Sequence, residues 1–345
     1  MTGSKSMDWF ERLTGFAETD YAHTRSQLEV DGRSLRSRTN GKAYGIGVFK
    51  LISLQDIRRK ALSAGRRAGR ISVQVIQGDI RELHRSPELS GALFQVASQF
   101  NMLEMTSPDV TPEHGVTRYE HDRTQGPACA IAAGAATIYR NYFVPTAGGS
   151  GQTSARQLDG LHPVGEALAT ALGKPAASLW EMRNGYALCT ELGLRAISDY
   201  VDAATSHELE CLRDKLCIGL HHGVEVTDVP SAPRPIVSQA FCSALPIAYS
   251  DASLANWRAF STLILDAAYE ATLWAALDNS RRGGSSTVLL TSLGGGAFGN
   301  PSEWIYASMR RALALFAGVA LDVRIVSHGA PTPEITRLVH EFTIP

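Results

Sequence analysis

Long apolar runs, surplus charge of one sign and paired cysteines are what this 345-residue sequence has little of. No stretch is long and charge-free enough to cross a bilayer. The opening residues, MTGSKSMDWFERL, lack the apolar core of a secretory leader, so a cytoplasmic protein with no membrane partner is expected. Lys and Arg number 33 against 34 Asp and Glu, a formal net charge of −1, which gives no electrostatic footprint for nucleic acid. The five cysteines, Cys129, Cys189, Cys211, Cys217 and Cys242, are odd in number and contain no C-x-x-C pair. That argues against a disulfide frame or a zinc site, and reduced, mostly buried thiols are expected. What is present is a 44% hydrophobic composition, enough for one elaborated domain or two closely joined ones. No internal repeat is visible. One basic cluster, DIRRKALSAGRRAGR at residues 56–70, reads as the wet face of a helix in preference to a phosphate site.

The order of patterns is that of an α/β protein. Strand-like runs fall at residues 71–77, 92–98, 287–293 and 323–327, with further ones within CIGLHHGVEVT and PIVSQAFCSALP. Between them GPACAIAAGAATIYRNYF reads as a closely packed helix, and residues 256–277 as a long one. Alternation of this kind implies helices on both faces of a mixed sheet. Residues 1–70 read as a helical extension with a loose centre, and residues 71–345 as the main domain, with a largely helical insertion at about 145–235.

The most informative stretch is TVLLTSLGGGAFGNPSEW, a short apolar strand, three successive glycines and then a helix start. Asn300 is suited to cap that helix, Pro301 to its first position and Glu303 to a capping box. A glycine loop between strand and helix offers backbone N–H groups beside the positive end of a helix dipole, which suits a phosphate or pyrophosphate. The alternative is a glycine turn with no ligand. The match of residues 294–299 to G-x-G-x-x-G also raises a nicotinamide-dependent oxidoreductase, but no acidic residue closes the next strand and the chain ends soon after.

VQVIQGDIRELH resembles the opening strand of macrodomains, ALFQVASQFNMLEM the strand leading to their distal-ribose asparagine, and LLTSLGGGAFGNPSEW their late diphosphate loop, in the family's order. With RYEHDRTQGPACA, QAFCSALPIAYS and LDAAYEATLWAA, the set is similar to a divergent, MavL-like branch of macrodomain ADP-ribosyl hydrolases. The resemblance, covering about residues 70–330, implies a three-layer α/β/α fold that binds ADP-ribose and releases it from an ADP-ribosylated protein, protein arginine being the acceptor put first. It requires no cofactor and no metal. It assigns Asp79, with the adjoining Ile80, to the adenine; Gly294, Gly295, Gly296, Ala297, Phe298, Gly299 and Asn300 to the diphosphate loop; and Asn101, with Gln99, to the distal ribose. A carboxylate suits the adenine amino group because it only accepts hydrogen bonds; the other role open to Asp79 is a helix cap. The run Ala97-Ser98-Gln99-Phe100-Asn101 departs from the family's Asn-Ala-Ala-Asn, and RYEHDRTQGP replaces its glycine-rich catalytic loop.

Cleaving an ADP-ribosyl bond passes through an oxocarbenium-like state, which a nearby carboxylate stabilises while it orients and deprotonates water. Asp122 is the first candidate, Glu120 the second, and Gln125 is suited to the ribose hydroxyls. Surface pairing of Arg118, Glu120, Asp122 and Arg123 is the alternative. Asp266 and Glu270 share a face of an otherwise apolar helix, which makes Glu270 a secondary catalytic candidate beside a structural pairing with arginine. His221 and His222, adjacent on a strand, point to opposite sides and do not suit one metal. A non-catalytic reader of ADP-ribose is the alternative to the hydrolase.

Overall fold

The structure, a computed structural model, describes residues 7–65 and 68–343. Seven strands form one mixed sheet: β1 (Val48–Ser53), β2 (Ser72–Gln77), β3 (Leu93–Ala97), β4 (Cys217–Glu225), β5 (Ile236–Cys242), β6 (Thr287–Leu290) and β7 (Asp322–Ser327). Their spatial order is β1-β4-β5-β3-β6-β7-β2. β4 is antiparallel to both its neighbours, and β5, β3, β6, β7 and β2 are mutually parallel. β1 therefore runs the same way as those five, and six carboxyl ends share one edge of the sheet, where ligands of open α/β sheets bind.

The strands read as continuous apolar runs because both faces are covered. Leu93, Val288, Leu290, Val323 and Ile325 pack into one core, while Phe94, Val96, Phe241 and Leu289 pack into the other. Helices α1 (Leu54–Ser63), α8 (Leu254–Arg281) and α9 (Ser302–Leu315) lie with the first core. α8 is buried all round through residues 263–279, as an all-round apolar helix must be. The second core is closed by α2 (Ile80–Arg85), α3 (Gln125–Ala132) and α4 (Gly134–Tyr142). The single helix expected over GPACAIAAGAATIYRNYF is thus two, broken at Ala133 (φ −110°, ψ 55°). A Cβ at Gly134 would lie 2.6 Å from the Trp9 ring, so the small residue is what lets the N-terminal segment pack here. α10 (Pro333–Thr343) ends the described chain.

Two of the expected divisions fall elsewhere. The segment before residue 71 is not a helical extension. After two short helices, Trp9–Thr14 and Tyr21–Ser26, it forms a three-stranded antiparallel sheet, contributes β1 to the main sheet and lays α1 against α8. Its strands are short and bury few residues, so their alternation is faint in the sequence. The insertion stops before Cys217, because β4 sits second in the sheet between β1 and β5. What remains inserted is α5 (His162–Leu172), a hairpin of Trp180–Arg183 with Tyr186–Cys189, α6 (Glu191–Ala203) and α7 (Ser206–Lys215).

The basic cluster is not simply a wet face. Arg58 reaches Glu270, Glu210 and Asp214, and Lys60 pairs with Asp278 at 2.8 Å, whereas Arg59 stays exposed beside Asp56. Arg66 and Arg67 lie outside the described residues. The cysteines are all free; Cys129 and Cys242 are buried and Cys211 is exposed. Among the described residues no helix is long and apolar enough to cross a membrane.

Candidate active site

The loop from β6 to α9 is built by its glycines and pinned from beneath. Gly294 has φ +73°, and a Cβ there would come within 2.4 Å of the Ala244 Cβ beyond the end of β5. Tyr269, on α8, accepts from the Leu293 amide at 2.9 Å and donates to the Thr291 carbonyl at 2.7 Å. Asn300 does not cap α9. The helix begins at Ser302, and buried Asn300 instead donates to the carbonyls of Leu245 (2.9 Å) and Gly294 (3.3 Å) and accepts from Ser261. Its amide is drawn into the loop because the Gly294 turn and the end of β5 leave carbonyls there that need a donor. The amides of Gly296, Ala297 and Phe298 make no hydrogen bond within the described residues. Successive unpaired backbone amides are the kind of group from which anion-binding concavities are built.

This loop meets the end of β3 and the start of α3 around a cavity of about 140 Å³. The cavity opens to solvent, and its inner part is of a size to take one sugar ring. Its walls include Ser98, Gln99, Glu104, Asp122, Gln125 and the loop residues Gly294, Gly296, Ala297 and Phe298. Asp122 is held by its own turn: Oδ1 accepts from the Thr124 amide at 2.8 Å and the Thr124 hydroxyl at 2.6 Å. Thr124, at the N-cap of α3, and Gln125, Gly126 and Pro127, its first residues, also line the cavity, so the positive end of that helix faces it. Gly126 is required by contact, since a Cβ would lie 2.1 Å from the Ala97 carbonyl oxygen.

The other expected residues are placed as follows. Gln125 borders the cavity, but its amide is spent on β3, accepting from Ala97 N and donating to Gln95 O, both at 2.8 Å. It anchors α3 to the strand. Gln99 accepts from the Met105 amide at 2.6 Å, and Asn101, fully buried away from the cavity, accepts from Leu103 N and donates to Gln157. Both shape the loop after β3, which turns through Met102 at φ +62°. Glu120 is exposed, does not line the cavity, and lies where its charge acts on Arg81. Asp79 caps α2, accepting from Arg81 N at 2.8 Å and Glu82 N at 3.2 Å, while Ile80 is buried beneath it. Asp79 follows β2, on the same sheet edge as the cavity but outside its walls, as are Gly295, Gly299 and Asn300.

Glu270 lies apart from the cavity, in an ion network between helices. Its carboxylate accepts from Arg58 (2.6 Å), Arg311 (2.9 Å) and Trp274 Nε1 (3.1 Å). Burial works against its charge, but these partners outweigh it and hold the carboxyl below its usual range. Asp266 neighbours Arg213 and Arg311 in the same network. His221 is buried with its affinity for protons well below normal, first through burial and then through nearby Arg140; His222 lies 3.5 Å from Asp278. Among the described residues no group of His, Cys, Asp or Glu is placed to hold a metal ion.

Two features escaped the sequence reading. Phe298 does present an aromatic surface to the cavity, but it belongs to a cluster with Tyr186 (5.3 Å) and half-exposed Tyr249 (5.9 Å). Glu104 is the other. It sits in FNMLEM, a single carboxylate among apolar residues just after a strand, a signal that was there to be read.

Fold and site together define a three-layer α/β/α protein, of the kind the macrodomain resemblance implies, with a glycine loop of unpaired amides and a small carboxylate-lined cavity at the carboxyl edge of its sheet. No family model and no curated protein matches the sequence. Among solved structures, poly(ADP-ribose) glycohydrolase from Deinococcus radiodurans in complex with ADP-ribose is 12% identical, over 85% of this chain and 93% of that one, with a TM-score of 0.44. The glycohydrolase from Thermomonospora curvata is 12% identical over 92% and 99%, with a TM-score of 0.43, and its form bound to the inhibitor ADP-HPD is 14% identical over 93% and 100%, at 0.40.

Proposed function

We propose that this protein binds ADP-ribose along the carboxyl edge of its sheet and hydrolyses it from a modified acceptor, protein arginine first, as a member of the MavL-like macrodomain branch. The observation that carries the proposal is the convergence on one sugar-sized cavity of the loop amides Gly296, Ala297 and Phe298 with the Asp122 carboxylate at the start of α3. In this pose the diphosphate lies over the loop amides and the distal ribose enters the cavity. The adenine extends over β7 toward Asp79, two strand spacings or roughly 10 Å from β6.

Asp122 keeps acceptor capacity beyond its bonds to Thr124, so it takes a proton from the attacking water and opposes the charge that develops at the anomeric carbon. The glycine loop and the helix start bind and orient; neither changes protonation state. Calorimetry with ADP-ribose, beside release assays on arginine-, serine- and glutamate-linked ADP-ribosyl protein, tests the reading. Asp122→Asn is expected to retain ADP-ribose binding and lose about 10²–10⁴-fold in release. Binding without release from any linkage moves the protein to the reader class, and failure to bind at millimolar ADP-ribose ends the proposal.

A further inference from the structure

We propose that Glu104 is a second catalytic residue of this cavity, the acid that protonates the departing acceptor while Asp122 activates water; this rests on the hydrolase reading above. Glu104 is 2% exposed and lines the cavity together with Asp122 and Gly126. A Cβ at Gly126 would lie 2.9 Å from its Cγ, so the glycine at the start of α3 is also what makes room for this side chain. Both carboxyl oxygens are buried, and neither has a hydrogen-bond partner. A structural buried carboxylate is normally satisfied by cations or other hydrogen-bond donors, and Glu270 in this same chain has two guanidinium groups and an indole N–H.

The environment selects the protonated form. Burial is the largest influence and pushes the Glu104 carboxyl up to about 8; Arg140 on α4 opposes this and Asp122 adds to it. The remaining ionisable neighbours, Tyr119 before α3 and Cys129 on it, are themselves pushed well above their usual values by burial and stay neutral. The Glu104 carboxyl thus keeps its proton at a pH where an ordinary carboxyl has lost it, as a general acid must.

The step balances as follows. The bond from the anomeric carbon to the acceptor atom breaks, and its electron pair goes to that atom, which receives the Glu104 proton. Water oxygen bonds to the anomeric carbon and gives its proton to Asp122. The products are free acceptor and ADP-ribose, and exchange with solvent returns Glu104 to the acid and Asp122 to the carboxylate. No other reactant is needed.

The test compares wild type with Glu104→Gln and Glu104→Asp, each checked for native circular dichroism and for ADP-ribose binding by calorimetry. Glu104→Gln keeps size and neutrality but cannot give up a proton under these conditions. It is expected to bind ADP-ribose as wild type does, to lose about 10²–10⁴-fold in kcat, and to lose the fall in rate that wild type shows above pH 8. Glu104→Asp is expected to recover part of the rate. A folded, ADP-ribose-binding Glu104→Gln enzyme that keeps wild-type kcat and the same alkaline limb overturns the role of Glu104 and leaves the hydrolase reading standing. Wild type that binds but releases nothing removes both.

Discussion

Gly294 and Gly296 are neighbours in one loop, yet the structure gives them opposite sensitivities. At Gly294 an alanine would have to hold φ near +73° and place its Cβ 2.4 Å from Ala244 and 2.7 Å from Asn300 Nδ2. The left-handed backbone costs an L-residue about 1–2 kcal/mol. Displacing a packed neighbour costs about 1–3 kcal/mol more. Gly294→Ala is therefore expected to lose about 2–5 kcal/mol of stability, and to lose ADP-ribose binding because Asn300 can no longer hold the loop closed. Gly296 has no atom within 4 Å of a built Cβ, and its φ lies outside the left-handed range. Gly296→Ala should leave stability unchanged or raise it by about 0.4–1 kcal/mol through the unfolded chain, while its methyl group, on the cavity wall, obstructs the diphosphate. Urea denaturation and calorimetry with ADP-ribose on the two variants decide the matter. Equal destabilisation of both, or a Gly294→Ala protein as stable as wild type, would refute the account of the loop; undiminished ADP-ribose binding by Gly296→Ala would refute the placing of the diphosphate.

Glu270→Gln should cost about 1–3 kcal/mol, because Arg58 and Arg311 each lose a charge-assisted hydrogen bond while keeping Glu210 and, respectively, Asp214 and Asp266, with turnover per folded molecule unchanged; a fully stable variant with no turnover contradicts this. The raised Glu104 value fixes a slope in stability: its contribution is complete below the ordinary value of 4.5 and falls as pH rises to about 8, by about 1.4 kcal/mol per unit. Urea midpoints of wild type should therefore decline relative to Glu104→Gln between pH 5 and pH 8 and run parallel above, and a constant difference across that range refutes it. Asp79→Ala removes the cap of α2 and should cost about 1 kcal/mol; in the proposed pose it also weakens ADP-ribose while leaving ribose 5-phosphate untouched, so equal affinity of variant and wild type for ADP-ribose rules out the adenine contact.

The local rules of the sequence carried the architecture. Buried strands such as TVLL and the glycine run before α9 state their positions through composition alone, because a parallel strand covered on both faces must be apolar throughout and a tight strand-to-helix turn must admit a left-handed residue. The helix start after Asn300 was also legible to within a residue or two, although the role of Asn300 itself was not. A side chain's choice between capping its own helix and bonding a distant carbonyl depends on which carbonyls arrive beside it, and Leu245 lies far away in the chain.

Tertiary structure decided which polar residues are free to act. Gln125, Gln99 and Asn101 all have the chemistry of ribose ligands, but Gln125 bonds the backbone of β3 and Asn101 bonds Leu103 and Gln157, while Gln99, whose oxygen is taken by Met105 N, still lines the cavity. Glu270 shares its helix with Tyr269 but points into arginines from α1 and α9, while Tyr269 points under the glycine loop. Glu104 became a candidate only when the fold removed its carboxyl from water without supplying a partner. Residue type and spacing are properties of the chain, so they specify strands, turns and the glycine loop. The free energy of a charge or an amide depends on what surrounds it in space, and only the assembled fold sets that.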